Sequence, residues 1–277
     1  IEISKELLRW LKLKNTAMAN NQILYFGSCR YMYGFKWNSF IGRLHTTREI
    51  GSVLLGTGID LINQFPQEYF TYVFGDIHNA IACNNVPCTT AGFERKLPDL
   101  KDIKDVIIEV SSNVVNKAYI KGRTVYVNTF YVDRDADNTI DSPRRVISRE
   151  IRDASQVVIL SPKDLEVDLV LIRDLIKEKF HPEARLHVIP PLNLRTGGDN
   201  SHYIRTRAAN TYALEAACNQ YKINFYNIGK HLEDVCINPT LKEFQPTGAH
   251  FDEPLFDKYV RPYLEEQIKL LWVLGCL

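Results

Sequence analysis

Three features of the 277-residue sequence predict an α/β fold with a mainly parallel sheet covered by helices on both faces. Short apolar runs at Ile23 to Phe26, Asp105 to Val110, Val157 to Leu160, Leu186 to Pro190 and Ile223 to Tyr226 read as buried strands. Helical patterns separate the later runs: Asp164 to Phe180, with Leu165, Leu169, Ile172 and Ile176 on one face, and the alanine-rich Arg205 to Tyr221. Strands alternating with helices need crossover connections, and these make neighbouring strands parallel. The first two runs end in small polar residues, Gly27-Ser28-Cys29 and Ser111-Ser112-Asn113, at the strand ends where such sheets bind ligands.

Composition excludes several classes of function. Apolar residues make up 45% and charged residues 24%, as in an ordinary globular chain. With Lys+Arg of 34 against Asp+Glu of 33, the net charge of +1 sets up no global field toward nucleic acid or an anionic membrane. Leu270 to Leu274, the closing apolar run, falls far short of the ~20 residues that span a bilayer, so no membrane span is expected. Cysteines at 29, 83, 88, 218, 236 and 276 are too few and scattered for a disulfide scaffold, which points to reduced thiols in a cytoplasmic setting. Cys83 and Cys88 lack a second Cys/His pair of matching spacing, so no metal site is expected. Because the sequence opens Ile1-Glu2-Ile3, without methionine or leader, it reads as part of a longer polypeptide.

Taken in order, Leu7, Leu8 and Leu11 behind Ser4 predict a short N-terminal helix within residues 1–20. Gly27 breaks the first strand at a sharp turn, and Ser28 and Cys29 stand at its tip, beside the N–H groups of a following helix that lower a thiol's pKa and hold an oxyanion. A buried cysteine after a core strand is the alternative. Residues 43–50 read as a loop entering a helix, with Thr46 or Thr47 as cap, Glu49 in the first turn, and His45 either facing a site or solvated. Tyr69 to Ile77 suits a strand that delivers Asp76 and His78 to its end, as a dyad or as a capped turn. Two alternating runs about Lys121-Gly122 predict a β-hairpin, and residues 118–152 form an insertion in which substrate selectivity is expected. His250 lies on the loop before the last helix, which Asp252 can cap and Pro262 should kink.

These segments together resemble the SGNH (GDSL-like) hydrolase superfamily from Ile23 to Gln267, with the branches that read Gly-x-Cys, the capsule-type acetyltransferase-like and GSCFA-type proteins, most similar. The resemblance implies a single domain over 1–277 with a flavodoxin-like three-layer α/β/α fold. It implies Cys29 in the nucleophile's place, Asn113 as oxyanion donor and His250, in Thr247-Gly-Ala-His250, as general base. A competing alignment sets the oxyanion block at residues 160–164, which supplies no asparagine. Thr247 stands where the family's orienting aspartate belongs, leaving that task to a backbone carbonyl, Asp252 or another acid. The family's oxyanion glycine matches Gly42, Gly51 or Gly75.

The implied function is acyl transfer on a carbohydrate or glycan: Cys29 attacks an ester carbonyl, His250 shuttles the proton, and Asn113 with the Ser28 to Arg30 amides holds the oxyanion. A thiol depends less on an orienting aspartate than a hydroxyl does. Water as acceptor gives an esterase or deacetylase, and a sugar hydroxyl gives an O-acyltransferase. No tightly bound cofactor is expected, although a transferase would use acyl-CoA or a similar donor. The alternative is a catalytically degenerate binding or scaffold domain of a longer glycan-processing protein. A nucleotide-binding protein would need a Gly-rich phosphate loop after the first strand, and none is there.

Overall fold

The structure, a computed structural model, describes residues 23–27, 39–41, 44–55, 100–120, 123–127, 155–194, 201–246 and 251–274. Its main sheet is built from β1 (Ile23–Phe26), β2 (Ser39–Ile41), β3 (Asp105–Glu109), β7 (Arg185–Ile189) and β8 (Asn224–Phe225). Their order across the sheet is β2-β1-β3-β7-β8, and every neighbouring pair is parallel. Counted within this sheet the order is 2-1-3-4-5, the flavodoxin-like arrangement that the resemblance implies.

Alternation along the strands divides the core into two clusters. Leu24, Phe26, Val106, Ile108, Leu186 and Val188 face helices α1 (Thr47–Leu55), α2 (Pro162–Lys179) and α3 (Ser201–Tyr221). Ile23, Tyr25, Ile107 and Ile189 face the other way, toward α4 (Ile228–Val235), α5 (Leu241–Phe244) and the last helical segment. Helices on both faces complete three layers, because a strand that is apolar on both sides must be covered twice. Leu165, Leu169, Ile172 and Ile176 are all buried along α2, as their spacing predicts. No described helix is long and apolar enough to cross a membrane.

One strand departs from its expected place. The 157–160 run reads as a member of the parallel series, yet β6 (Ser155–Ile159) pairs antiparallel with β4 (Val114–Ile120), outside the main sheet. The hairpin predicted about Lys121-Gly122 supplies the third strand, β5 (Arg123–Val127), with Ile120 opposite Arg123. Val157 and Ile159 are 62% and 70% exposed, so this apolar run is covered on one side at most, as in an antiparallel sheet. A short apolar run does not report which sheet receives it.

The chain ends in α6 (Glu253–Leu255), a wider π-helical turn at Phe256–Val260 and α7 (Arg261–Leu274). The π turn ends at Val260, two residues before Pro262, which has no N–H for an α-helical bond; where a kink was expected the described irregularity is this widened turn.

Candidate functional site

Strand order reverses between β1 and β3: the chain leaves β1 for one edge of the sheet and β3 leads toward the other. The crevice beyond their carboxyl ends is where a doubly wound sheet takes its ligand. Gly27 stands there, opposite Glu109 in the continuing register. A Cβ on Gly27 would lie 2.5 Å from the Tyr25 hydroxyl and 2.7 Å from Glu109 Cβ, so only glycine fits. Beneath it the Tyr25 hydroxyl donates to Glu109 Oε2 at 2.7 Å, and both residues are buried.

The loop entering α1 closes a second side. Thr46 is its cap: Thr46 Oγ1 accepts from Glu49 N at 3.2 Å, while Glu49 Oε2 accepts from Thr46 N and Thr46 Oγ1, both at 2.8 Å. This is the reciprocal capping box that the Thr and Glu spacing predicts. His45 N also donates to Glu49 Oε2, at 3.0 Å. The His45 carbonyl accepts from Ser111 N and Ser112 N, each at 2.9 Å, and His45 Nδ1 lies 2.8 Å from Ser111 Oγ. Four bonds thus fix this half-buried histidine against the loop after β3, at the expected binding edge. On the other side of α1, Arg48 pairs with Asp168 of α2 at 2.8 Å and covers the Tyr126 ring of β5 at 5.5 Å, joining the small sheet to the helices. Burial pushes the Asp168 carboxyl up, against the pull of Arg48.

Asn113 lies next to the competing block. Its Nδ2 donates to the Leu160 carbonyl at 3.3 Å, and Leu160 N donates to the Asn113 carbonyl at 2.7 Å, so residues 113 and 160 meet at one place. Ser161 and Asp164 of that block form the capping box of α2. Asp252 caps α6, its Oδ1 accepting from Leu255 N at 3.1 Å. Gly51 lies inside α1, against Leu171 and Ile172 of α2. Ser28, Cys29, Arg30, Thr247 and His250 lie outside the described residues, as do Gly42, Gly75, Asp76, His78, Cys83, Cys88 and the N-terminal helix. Cys218 and Cys236 are described as free thiols, and burial pushes Cys218 up to about 12 and Cys236 in the same direction, which leaves both poor nucleophiles.

Sequence reasoning passed over Glu109 and did not join Ser111 and Glu49 to His45. Glu109 sits inside an apolar run and looks like part of the strand. The signal that finds it is its place, last in β3 and in register with the Gly27 turn.

No protein-family model matches this chain, and no curated protein matches it in sequence. Solved structures similar to it include a carbohydrate acetylesterase from Sinorhizobium meliloti, at 9% identity and TM-score 0.42 over 91% of this chain and 100% of that one. An aryl esterase from M. smegmatis aligns at 11% identity and TM-score 0.40, over 91% of this chain and 99% of that one. A catalytic mutant of an acetylxylan esterase from Geobacillus stearothermophilus aligns at 10% identity and TM-score 0.41, over 85% and 89%. With TM-scores below 0.5 these likenesses carry no weight for the activity of this chain.

Proposed function

We propose that this chain is an acyl-transfer enzyme of the SGNH (GDSL-like) type acting on acyl esters of carbohydrates, with Cys29 as nucleophile and His250 as general base. The observation that supports this is the β1–β3 switch point, where Gly27, held to glycine by Tyr25 and Glu109, stands at the ligand-binding edge immediately before Ser28 and Cys29 in sequence. In the first half-reaction His250 takes the thiol proton, sulfur attacks the ester carbonyl, the ester C–O bond breaks, and the proton passes to the departing alkoxide. In the second, water or a sugar hydroxyl gives its proton to His250 and takes the acyl group, and the thiol is restored. The second amide hydrogen of Asn113, beside the one donated to Leu160, would serve the oxyanion together with the backbone amides after Gly27.

The test is incubation with p-nitrophenyl acetate, acetylated xylo-oligosaccharides and acetyl-CoA, followed by intact mass and peptide mapping. An acetyl adduct on Cys29 that Cys29→Ala removes is the expected result, with Ser28→Ala close to wild type. Cys29→Ser should lose most activity, since a hydroxyl needs a better-oriented base. A fully active Cys29→Ala protein overturns the mechanism. The bond from Asn113 to Leu160 favours a second reading, a binding module without turnover, in which a sugar ester binds and no donor forms an adduct.

A further inference from the structure

One side-chain pair at the carboxyl edge of the main sheet joins a nucleophile to a base. Val110 N donates to the Ile189 carbonyl at 2.9 Å, so β3 stays bonded to β7 up to residue 110 and Ser111 stands just beyond the sheet, on the edge where such sheets bind ligands. The Ser111 hydroxyl lies 2.8 Å from His45 Nδ1, inside the range of about 2.6–3.2 Å over which a base can take a nucleophile's proton. Both residues are half-buried rather than sealed in the core.

The loop is held without this bond. The His45 carbonyl takes Ser111 N and Ser112 N at 2.9 Å each, and His45 N is anchored on Glu49 at 3.0 Å. Ser112 puts the neighbouring hydroxyl to local use, accepting from Val114 N at 3.0 Å and donating to the Val114 carbonyl at 3.3 Å. Other histidines whose side chains are described meet different partners: His187 is fully buried against Asp105 and Tyr226, His181 Nδ1 accepts from Glu183 N, and His231 Nε2 meets the Tyr259 carbonyl. Backbone bonds on either side of the His45 Cα restrict where its imidazole can stand, a task that a third side chain has in a catalytic triad.

We propose that Ser111 and His45 are a nucleophile–base pair in their own right, with Ser111 Oγ taking the acyl group of an ester. His45 Nδ1, the unprotonated ring nitrogen, takes the hydroxyl proton as Oγ bonds to the carbonyl carbon; the ester C–O bond then breaks and the proton passes to the departing alcohol. Water next gives a proton to His45 and attacks the Ser111 ester, which releases the acid and restores the hydroxyl. Cys29 and His250 take no part in these steps.

The test uses an alkyl fluorophosphonate, which marks base-activated serines: the Oγ–P bond forms, fluoride leaves and the histidine takes the proton. Wild type and Cys29→Ala are incubated with it and analysed by intact mass and peptide mapping, and labelling rates are measured for Ser111→Ala and His45→Gln with melting temperatures alongside. One phosphonyl group on Ser111 is expected in both wild type and Cys29→Ala. Ser111→Ala should take up none, and His45→Gln should label at least about 10²-fold more slowly. A bond that only fastens the loop would shift the melting temperature of these variants and give no label in wild type. Folded wild type without a label on Ser111 overturns the proposal, and so does a His45→Gln protein labelled at the wild-type rate. Should His45→Gln not fold, wild-type label spread equally over Ser111 and Ser112 overturns it instead, since only Ser111 meets the imidazole. A missing acetyl adduct on Cys29 refutes the thiol mechanism above and leaves this result untouched.

Discussion

Strand β3 carries a buried carboxylate at each end, four residues apart and on the same face, and the two are held differently. Asp105, at the amino end, accepts from Arg185 Nε at 2.9 Å, Arg185 Nη2 at 2.8 Å and His187 Nε2 at 2.7 Å. His187 Nδ1 in turn meets the Tyr226 hydroxyl at 2.8 Å, and burial pushes the Tyr226 phenol up, keeping it a donor. Glu109, at the carboxyl end, takes the Tyr25 hydroxyl beside the turn that opens the site. A parallel sheet sends its strand ends to two different environments, one closed by packing and one open to ligands. The same side-chain chemistry is therefore packed away from ligands at one end and stands beside the ligand-binding edge at the other.

The largest expected break in this comparison is Asp105→Ala, which leaves Arg185 and buried His187 without their anion and should cost about 3–5 kcal/mol of stability in denaturant titration. Any folded fraction should keep wild-type chemistry at the other end; a loss of kcat there would erase the distinction. Tyr25→Phe removes one charge-assisted hydrogen bond from Glu109 and should cost about 1.5–3 kcal/mol by the same measurement. Gly27→Ala forces a methyl group against Tyr25 and Glu109, with an expected loss of about 1–3 kcal/mol and a much larger fall in turnover. A Gly27→Ala protein with full stability and turnover would show that the contact yields freely.

The smallest effect concerns pH. Burial lowers the pKa of His187 from its ordinary 6.5, although Asp105 pulls the other way. As pH falls, the unfolded chain takes up this proton before the folded one does. The contribution of His187 is therefore complete above pH 6.5 and is lost as pH drops from there toward the lowered folded value. For one proton the slope is at most about 1.4 kcal/mol per pH unit. Melting temperatures measured from pH 5 to 8 should show the slope in wild type and a flatter profile in His187→Gln; identical profiles would assign the slope elsewhere.

Much of the fold was legible because burial on both faces leaves an unbroken apolar run. β1, β3 and β7 were each visible in this way, α2 showed itself through the helical spacing of its apolar face, and the hairpin through alternation about Lys121-Gly122. β6 was misplaced because five residues carry a periodicity but not a partner; which sheet receives them depends on β4, some 40 residues away. At the site, Gly27 could be read from its neighbours in sequence. Glu109 could not, because an acid inside Asp-Val-Ile-Ile-Glu-Val gains meaning only when register sets it against residue 27. His45 read as a solvated loop histidine sooner than as one facing a site, since the bonds that hold it come from Glu49 and from residues 111 and 112.

The widened turn at Phe256–Val260 bears on how the last helix keeps step with the sheet. Phe256, Val260, Leu264 and Ile268 are all buried in one cluster, an apolar row repeating every four residues. At 3.6 residues per turn a step of four overshoots by about 40°, so three such steps would carry the row about 120° around a regular helix. A π-helical turn winds more slowly and takes back part of that drift, so a row spaced by fours can stay against a flat layer. Shortening this turn by one residue would rotate everything downstream by about 100° and turn Leu264 and Ile268 away from their partners. Exposed Asp257 and Lys258 can change identity at little cost, whereas the number of residues between Phe256 and Val260 cannot change.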